Sequence, residues 1–317
     1  MNPTDNETRL WAWFLFNAGL TPQRAKTLLT EWEQHGLTLS SVLERLPAQA
    51  DMSGLTPDEA IRLRPPHELP DVHAVRWNEP LYPLGLHHLP LKLRPALLFY
   101  TGEASLLLRP IIYLVPGPLD AATRELLQET VSLLLGENLL PATFRESPQA
   151  ELLLEEMAIS EGEALLFARE GLAQLMPSER EQAFLQAGRL LILSPLPPST
   201  RATPALNEVL QQVAASAALR RVHTHAATLP DDPAAAAGTL LLTATAVSRA
   251  PHGIPVAESA VEALTWLTEI PLPPTPTSQP AAEPLYDAPP PTPEEALRVL
   301  EKGGRVPEVL KKRLLGV

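Results

Sequence analysis

LLILSPLPPSTRATPALNEVLQQVAASAALRRVHTH, residues 190–225, decides the fold. Its first residues are continuously apolar up to Ser194. An apolar run that short, bounded by a proline-rich turn, reads as a strand buried on both faces. A helix opened by Asn207 follows, and LRRVHTHA returns the chain to a second strand. Strand, turn, helix and strand in that order are the layout of a nucleotide-type α/β site. The charged residues with which such a site grips phosphate are mostly absent, so fold and function are read separately.

The same alternation extends on both sides. IIYLVPG (111–117) is a buried strand with a turn. DAATRELLQETVSLLLGE is a helix with Asp120 near its start and Leu126, Leu127, Thr130, Val131, Leu134 and Leu135 on its inner face. LPATF, ALLFA and GIPVA read as strands, QAELLLEEMAISEG and SEREQAFLQAG as helices. GTLLLTATAVSRA (238–250) reads as the start of a helix. Strands alternating with helices of this length predict an α/β fold, a Rossmann-like parallel sheet covered on both faces, over residues 111–268.

Residues 1–70 read as short helices. Thr21-Pro22 and Thr56-Pro57 each place a capping threonine before a proline at the first helical position. Ala25, Leu28, Leu29 and Trp32 share a face. Small helices joined by Gly-Leu-Thr-Pro turns resemble a SAM-like or helix-hairpin-helix bundle. Residues 71–110 are read as a linker and leading strand, with LLFY as that strand. Residues 269–293, rich in Pro, Thr and Ala, are a Pro-rich linker. Residues 294–317 form a small helical tail whose Lys311, Lys312 and Arg313 complement a helix dipole.

The bulk numbers narrow the function. There is no cysteine among 317 residues, which excludes disulfides, thiolate metal sites and a cysteine nucleophile. The opening MNPTDNETRL lacks the basic start and apolar core of a signal peptide, and no run approaches bilayer length, so a cytoplasmic protein with no membrane partner is expected. Net charge is −12. Residues 111–265 carry 9 basic against 18 acidic side chains, which leaves room for a local basic pocket but not for a broad basic face.

Sites of chemistry are sparse. VPGPLD has one glycine between two prolines, each lacking an N–H, and Asp120 stands where a phosphate would sit, so a tight turn with a capped helix is the better reading. His223 and His225 are expected on one side of a strand, with Asp231 and Asp232 downstream, but no metal-ligand spacing supports them. Ser194 ends a strand, but Pro195 removes the next amide as an oxyanion donor. Glu155-Glu156 reads as a solvated helix face. No catalytic, metal or cofactor residue is assigned, and no cofactor is implied. Arg189, Arg201, Asn207, Arg220 and Arg221 are the remaining polar candidates. Asn207 is read as a helix cap or a ligand contact. Arg220-Arg221 should send one side chain to each face of its strand.

Taken in order, these features resemble the DprA (Smf) family of DNA-processing proteins, from about residue 9 to 265. WAWFLFNAGLTPQRAKTLL and GLTPDEAIRLR are similar to that family's SAM-like bundle, and LYPLGLHHLPLKLRPALLFYTGEASLL to its linker. REGLAQLMPSE is similar to its Gly-Leu-Asp-x-x-Tyr-Pro turn, with Gly171, Leu172 and Pro177 retained. AGTLLLTATAVSRAPHGIPVA is similar to its Ser-Gly-x-x-x-Thr-Ala segment, with Gly238, Thr243 and Ala244 in place. The resemblance implies an extended Rossmann fold, binding of single-stranded DNA without catalysis in DNA uptake or recombination, a homodimer, and a recombinase partner. It departs at the pocket: VPGPLD replaces a Gly-Ser-Arg loop, ATFRESPQAE stands in place of a second glycine segment, and Leu206 and Glu208 flank Asn207 where the family has Arg-Asn-Arg. DNA contacts are therefore expected at Arg189, Arg201, Asn207, Arg220 and Arg221. Two other readings stand beside this one: a protein-interaction scaffold with a dead pocket, and an enzyme acting on nucleotides.

Overall fold

In the computed structural model, residues 3–46, 54–63, 65–232, 236–245 and 250–269 are described. The Pro-rich linker beyond residue 269 and the tail at 294–317 lie outside them. Residues 1–268 form one compact unit.

Four helices come first: α1 (Pro3–Phe16), α2 (Pro22–Gln34), α3 (Leu39–Arg45) and α4 (Pro57–Arg62). Thr21, Thr38 and Thr56 cap the last three, each accepting a backbone N–H two or three residues into the helix. The strands and later helices follow as β1 (Ala74–Arg76), β2 (Leu97–Gly102), β3 (Ile111–Leu114), α5 (Ala121–Leu135), β4 (Leu140–Phe144), α6 (Pro148–Ile159), β5 (Ala164–Phe167), α7 (Glu179–Gln186), β6 (Leu190–Ser194), α8 (Pro204–Ala217), β7 (Arg220–His223), β8 (Thr239–Leu242), β9 (Val256–Ala257) and α9 (Ala260–Thr268).

The strands form one sheet in the order β1-β2-β6-β5-β4-β3-β7-β8-β9. β3 to β9 run parallel, while β2 joins β6, and β1 joins β2, antiparallel. This is the mostly parallel α/β sheet that the apolar runs predict. The chain leaves β3 toward β4, β5 and β6 on one side and then crosses to β7, β8 and β9 on the other, so the switch point falls between β3 and β7. Side chains alternate between the faces. Ile112, Leu114, Leu166, Ile192 and Val222 pack with α5, α6, α7 and α9. Ile111, Tyr113, Phe144, Phe167 and Leu193 pack with α8 and with the N-terminal helices.

Four local expectations give way. Residues 239–242 are β8, not a helix start: four apolar residues are too few for periodicity to distinguish the two. The segment at 71–110 holds β1 as well as β2. β7 ends at His223, so His225 lies beyond it, where its Nδ1 accepts the Ala227 N–H in a 3-10 turn. Glu156 is buried at 5% exposure, accepting a hydrogen bond from Gln128 Nε2 at 2.7 Å, while Glu155 pairs with Arg124 on the surface.

Candidate functional site

Open parallel sheets bind ligands outside the carboxyl ends of their strands, beside the switch point. In this chain that edge is made by the loops after β3, β4, β5, β6 and β7.

The loop after β3 is closed by its own residues. Asp120 accepts the Thr123 N–H at 2.8 Å and caps α5, and that bond holds its carboxyl below the usual range. Gln149, at the start of α6 and fully buried, donates to the Gly117 carbonyl at 2.9 Å. A Cβ on Gly117 would touch Thr224 and Thr228, so the turn lies against the loop after β7. The anion position at α5 is thus filled by a carboxylate, as its sequence indicates. The Gln149 Oε1 and Thr224 hydroxyl beside this turn are buried without a hydrogen-bond partner among the described residues.

The loops after β4 and β5 supply arginines that are already engaged. Arg145 grips Glu181 through two bonds, at 2.6 and 2.9 Å, and reaches the Met176 carbonyl. Burial works to raise the Glu181 carboxyl, but the bonds from Arg145 and Ser178 outweigh it and hold it below the usual range. Arg169 lies 3.6 Å from Glu146 and stacks 4.6 Å from the Phe144 ring centre. Beneath it Tyr113 meets Phe144 and Phe167 edge-on, and those two rings lie tilted against each other. The Tyr113 hydroxyl and Arg169 Nε are buried without hydrogen-bond partners among the described residues. Burial pushes the Tyr113 hydroxyl above its ordinary value.

The loop after β6 is shaped by Gly171, whose N–H donates to the Thr200 carbonyl. A Cβ there would fall 2.1 Å from the Pro197 carbonyl oxygen. The loop delivers Arg201, exposed and without an ion-pair or hydrogen-bond partner among the described residues, to the N-terminus of α8. α8 begins at Pro204, and its N-cap is Thr203, which makes no side-chain cap bond. Asn207 is therefore not the cap: it lies inside the first turn, half-buried on the face that continues through Leu210 and Ala214. It too has no hydrogen-bond partner among the described residues.

The five candidates of the sequence separate into two groups. Arg201 and Asn207 stand together at the carboxyl edge. Arg189, Arg220 and Arg221 lie at the opposite edge, where β6 and β7 begin. Five residues of strand, about 17 Å, separate Arg189 from Ser194. Arg189 spans the carbonyls of Met157, Ser160 and Gly162 at 2.5–3.0 Å, closing the C-terminus of α6. Arg220 and Arg221 point to opposite faces, as their alternation predicts: Arg220 stacks on Trp266 of α9, and Arg221 donates to the Ala237 carbonyl. Sequence reasoning missed Arg169 and Tyr113. Arg169 was within reach, since it follows β5 by two residues and so falls at the carboxyl edge; Tyr113 reads as one more apolar residue of IIYL. Among the described residues no group of three His, Asp or Glu side chains is placed to hold a metal ion, and no helix is long and apolar enough to cross a membrane.

Compared with solved structures, the chain superposes on the X-ray structure of DNA processing protein A (DprA) from Streptococcus pneumoniae with a TM-score of 0.59, over 81% of this chain and 97% of that one, at 15% identity. The fold is that of DprA. A Helicobacter pylori DprA, described for its single-stranded DNA binding mode, matches at a TM-score of 0.48 and 12% identity over 62% of this chain and 94% of that one. A molybdenum cofactor binding protein from Rippkaea orientalis matches at 0.36 and 13% over 50% of this chain and 95% of that one. No protein-family model and no curated protein matches the sequence.

Proposed function

We propose that this chain is a divergent DprA-like DNA-processing protein that holds single-stranded DNA at the carboxyl edge of its sheet, without catalysis, in DNA uptake or recombination. The observation that carries this reading is the DprA fold across four fifths of the chain, with Arg201 and Asn207 brought together at the start of α8. An exposed, unpaired guanidinium and free helix N–H groups suit a phosphate, and a half-buried amide suits a base edge or sugar. Arg169 extends the same edge. Its neighbour Glu146, together with Glu208 and Asp120, makes the edge weakly attractive overall, so binding is expected to be modest and steeply salt-dependent. A cytoplasmic location, a homodimer and a recombinase partner belong to this proposal, as does the division into a helical bundle (1–70), a linker and leading strand (71–110), a sheet domain (111–268), a Pro-rich linker (269–293) and a tail (294–317).

Fluorescence anisotropy with labelled dT20 at low salt tests it. Arg201→Ala should lower the slope of log K against log[salt] by about 0.7, one phosphate contact on a single strand. Absence of binding at micromolar protein would overturn the reading. One observation favours the protein-interaction scaffold instead: Arg145 and Arg169 are both neutralised by glutamates. If that reading holds, dT20 stays free at every salt concentration.

A further inference from the structure

We infer that the opposite edge of the sheet carries a second contact for single-stranded DNA, built from Arg220, Arg221 and Trp266; this rests on the proposed DNA-binding reading. The Arg220 guanidinium lies 4.2 Å from the Trp266 ring centre, a cation–π stack between β7 and α9. Arg221, the next residue, donates to the Ala237 carbonyl at 2.6 Å. Neither arginine has a carboxylate partner among the described residues, and Arg220 Nε is buried with no acceptor. Among the described residues, Arg76, Arg109, Arg124, Arg145 and Arg169 each meet a glutamate, whereas Arg220 and Arg221 meet none. Two adjacent, partly desolvated cations without a counter-ion are costly unless an anion is supplied from outside. Burial lowers both arginines from their ordinary values, in keeping with that uncompensated charge.

A bare anion site would not need the indole. Trp266 is half-buried, whereas Trp11, Trp13, Trp32 and Trp77 are 2–5% exposed, so it is the accessible tryptophan of this chain. A guanidinium laid on an accessible ring is a platform on which a nucleic-acid base can stack, and Arg221, which leaves the other face of β7 but bonds the same Ala237-Gly238 turn that Arg220 lies against, is placed to meet a phosphate. That combination selects a single strand, whose base faces are free, over a duplex.

The two edges are about 17 Å apart, the length of a five-residue strand. At about 3.4 Å per stacked nucleotide, a DNA strand must exceed about five nucleotides to touch both. dT4 and dT20 therefore separate the sites. With the full chain, saturating dT20 should shield Trp266 from acrylamide quenching, and dT4 bound at the carboxyl edge should not. Arg220→Gln/Arg221→Gln should abolish the shielding and lower the dT20 salt slope by about 0.7, the one single-strand phosphate that Arg221 meets. Arg220→Lys/Arg221→Lys, which keeps both charges, should restore the slope. If dT20 binds with its Arg201 dependence intact while quenching of Trp266 is unchanged, the second contact is overturned and the carboxyl-edge site stands. If dT20 does not bind at all, both fall. The quenching arm uses the unaltered protein, so an unfolded variant does not remove the test.

Discussion

His223 is a buried base with no carboxylate partner among the described residues. It is 5% exposed on β7, its Nδ1 lies 2.9 Å from the Thr228 hydroxyl, and burial, assisted by the Arg221 charge, pushes its pKa down to about 4. Above pH 6.5 the ring is neutral in folded and unfolded chains alike, and it costs nothing. As pH falls from 6.5 toward 4, the unfolded chain takes up a proton that the native ring refuses, so stability is lost across that window, by up to about 3 kcal/mol. Urea unfolding at pH 7 and pH 4.5 measures the loss; His223→Gln should flatten this part of the dependence. Glu181 is a buried group that keeps its charge instead, and because its carboxyl is held below the usual range it too loses stability as pH falls. At 3% exposure it relies on Arg145, and Arg145→Ala would strand a buried carboxylate at a cost of about 3 kcal/mol. Arg145→Ala/Glu181→Gln should recover part of that, measured by the same unfolding curves.

At the scale of elements, the strands that carry the sheet were legible because burial on both faces writes them as unbroken apolar runs. IIYL, LPATF, ALLF and LLILS all became strands. β1 was not legible: it has only three residues, and its partner β2 lies twenty residues away in a segment full of prolines, so nothing local marks it. Half of the candidate site was legible for a related reason. Arg201 follows the end of β6, and position after a strand predicts the carboxyl edge. Arg189 precedes the same strand, and the strand's length carries it to the other edge. Gly171 shows how an element is fitted to the site. Its φ is an ordinary −70°, so closeness and not conformation demands glycine: the backbone of Pro197 and Pro198 fills the space that a Cβ would need. Gly171→Ala should displace the loop that bears Arg201, weakening dT20 binding about as much as Arg201→Ala, with the sheet's far-ultraviolet signal retained. Unchanged affinity would separate that loop from the site.

At the scale of the whole molecule, a bundle and a sheet that read as separate stretches of sequence share one buried cluster. It runs from Trp11, Phe14 and Trp32 of the first helices through Phe99 of β2 to Tyr113, Phe144 and Phe167 of the parallel strands. Trp11 meets Trp77 edge-on at 5.5 Å, and Phe16 lies 6.0 Å from Phe99, so aromatic contacts carry the core across residue 70. We propose that the boundary near residue 70 is one of chain organisation and not of stability. Interiors are close-packed, and opening one wall of a shared core exposes the other. The two parts should therefore unfold together: scanning calorimetry of residues 1–268 should give one transition whose calorimetric and van't Hoff enthalpies agree. The full chain should melt at the same midpoint within about 2 °C, because the compact unit ends at Thr268. Two resolved transitions in 1–268 would show instead that the bundle and the sheet are separate cooperative units, and a marked drop in midpoint on removing 269–317 would show that the Pro-rich segment or the tail contributes to the core.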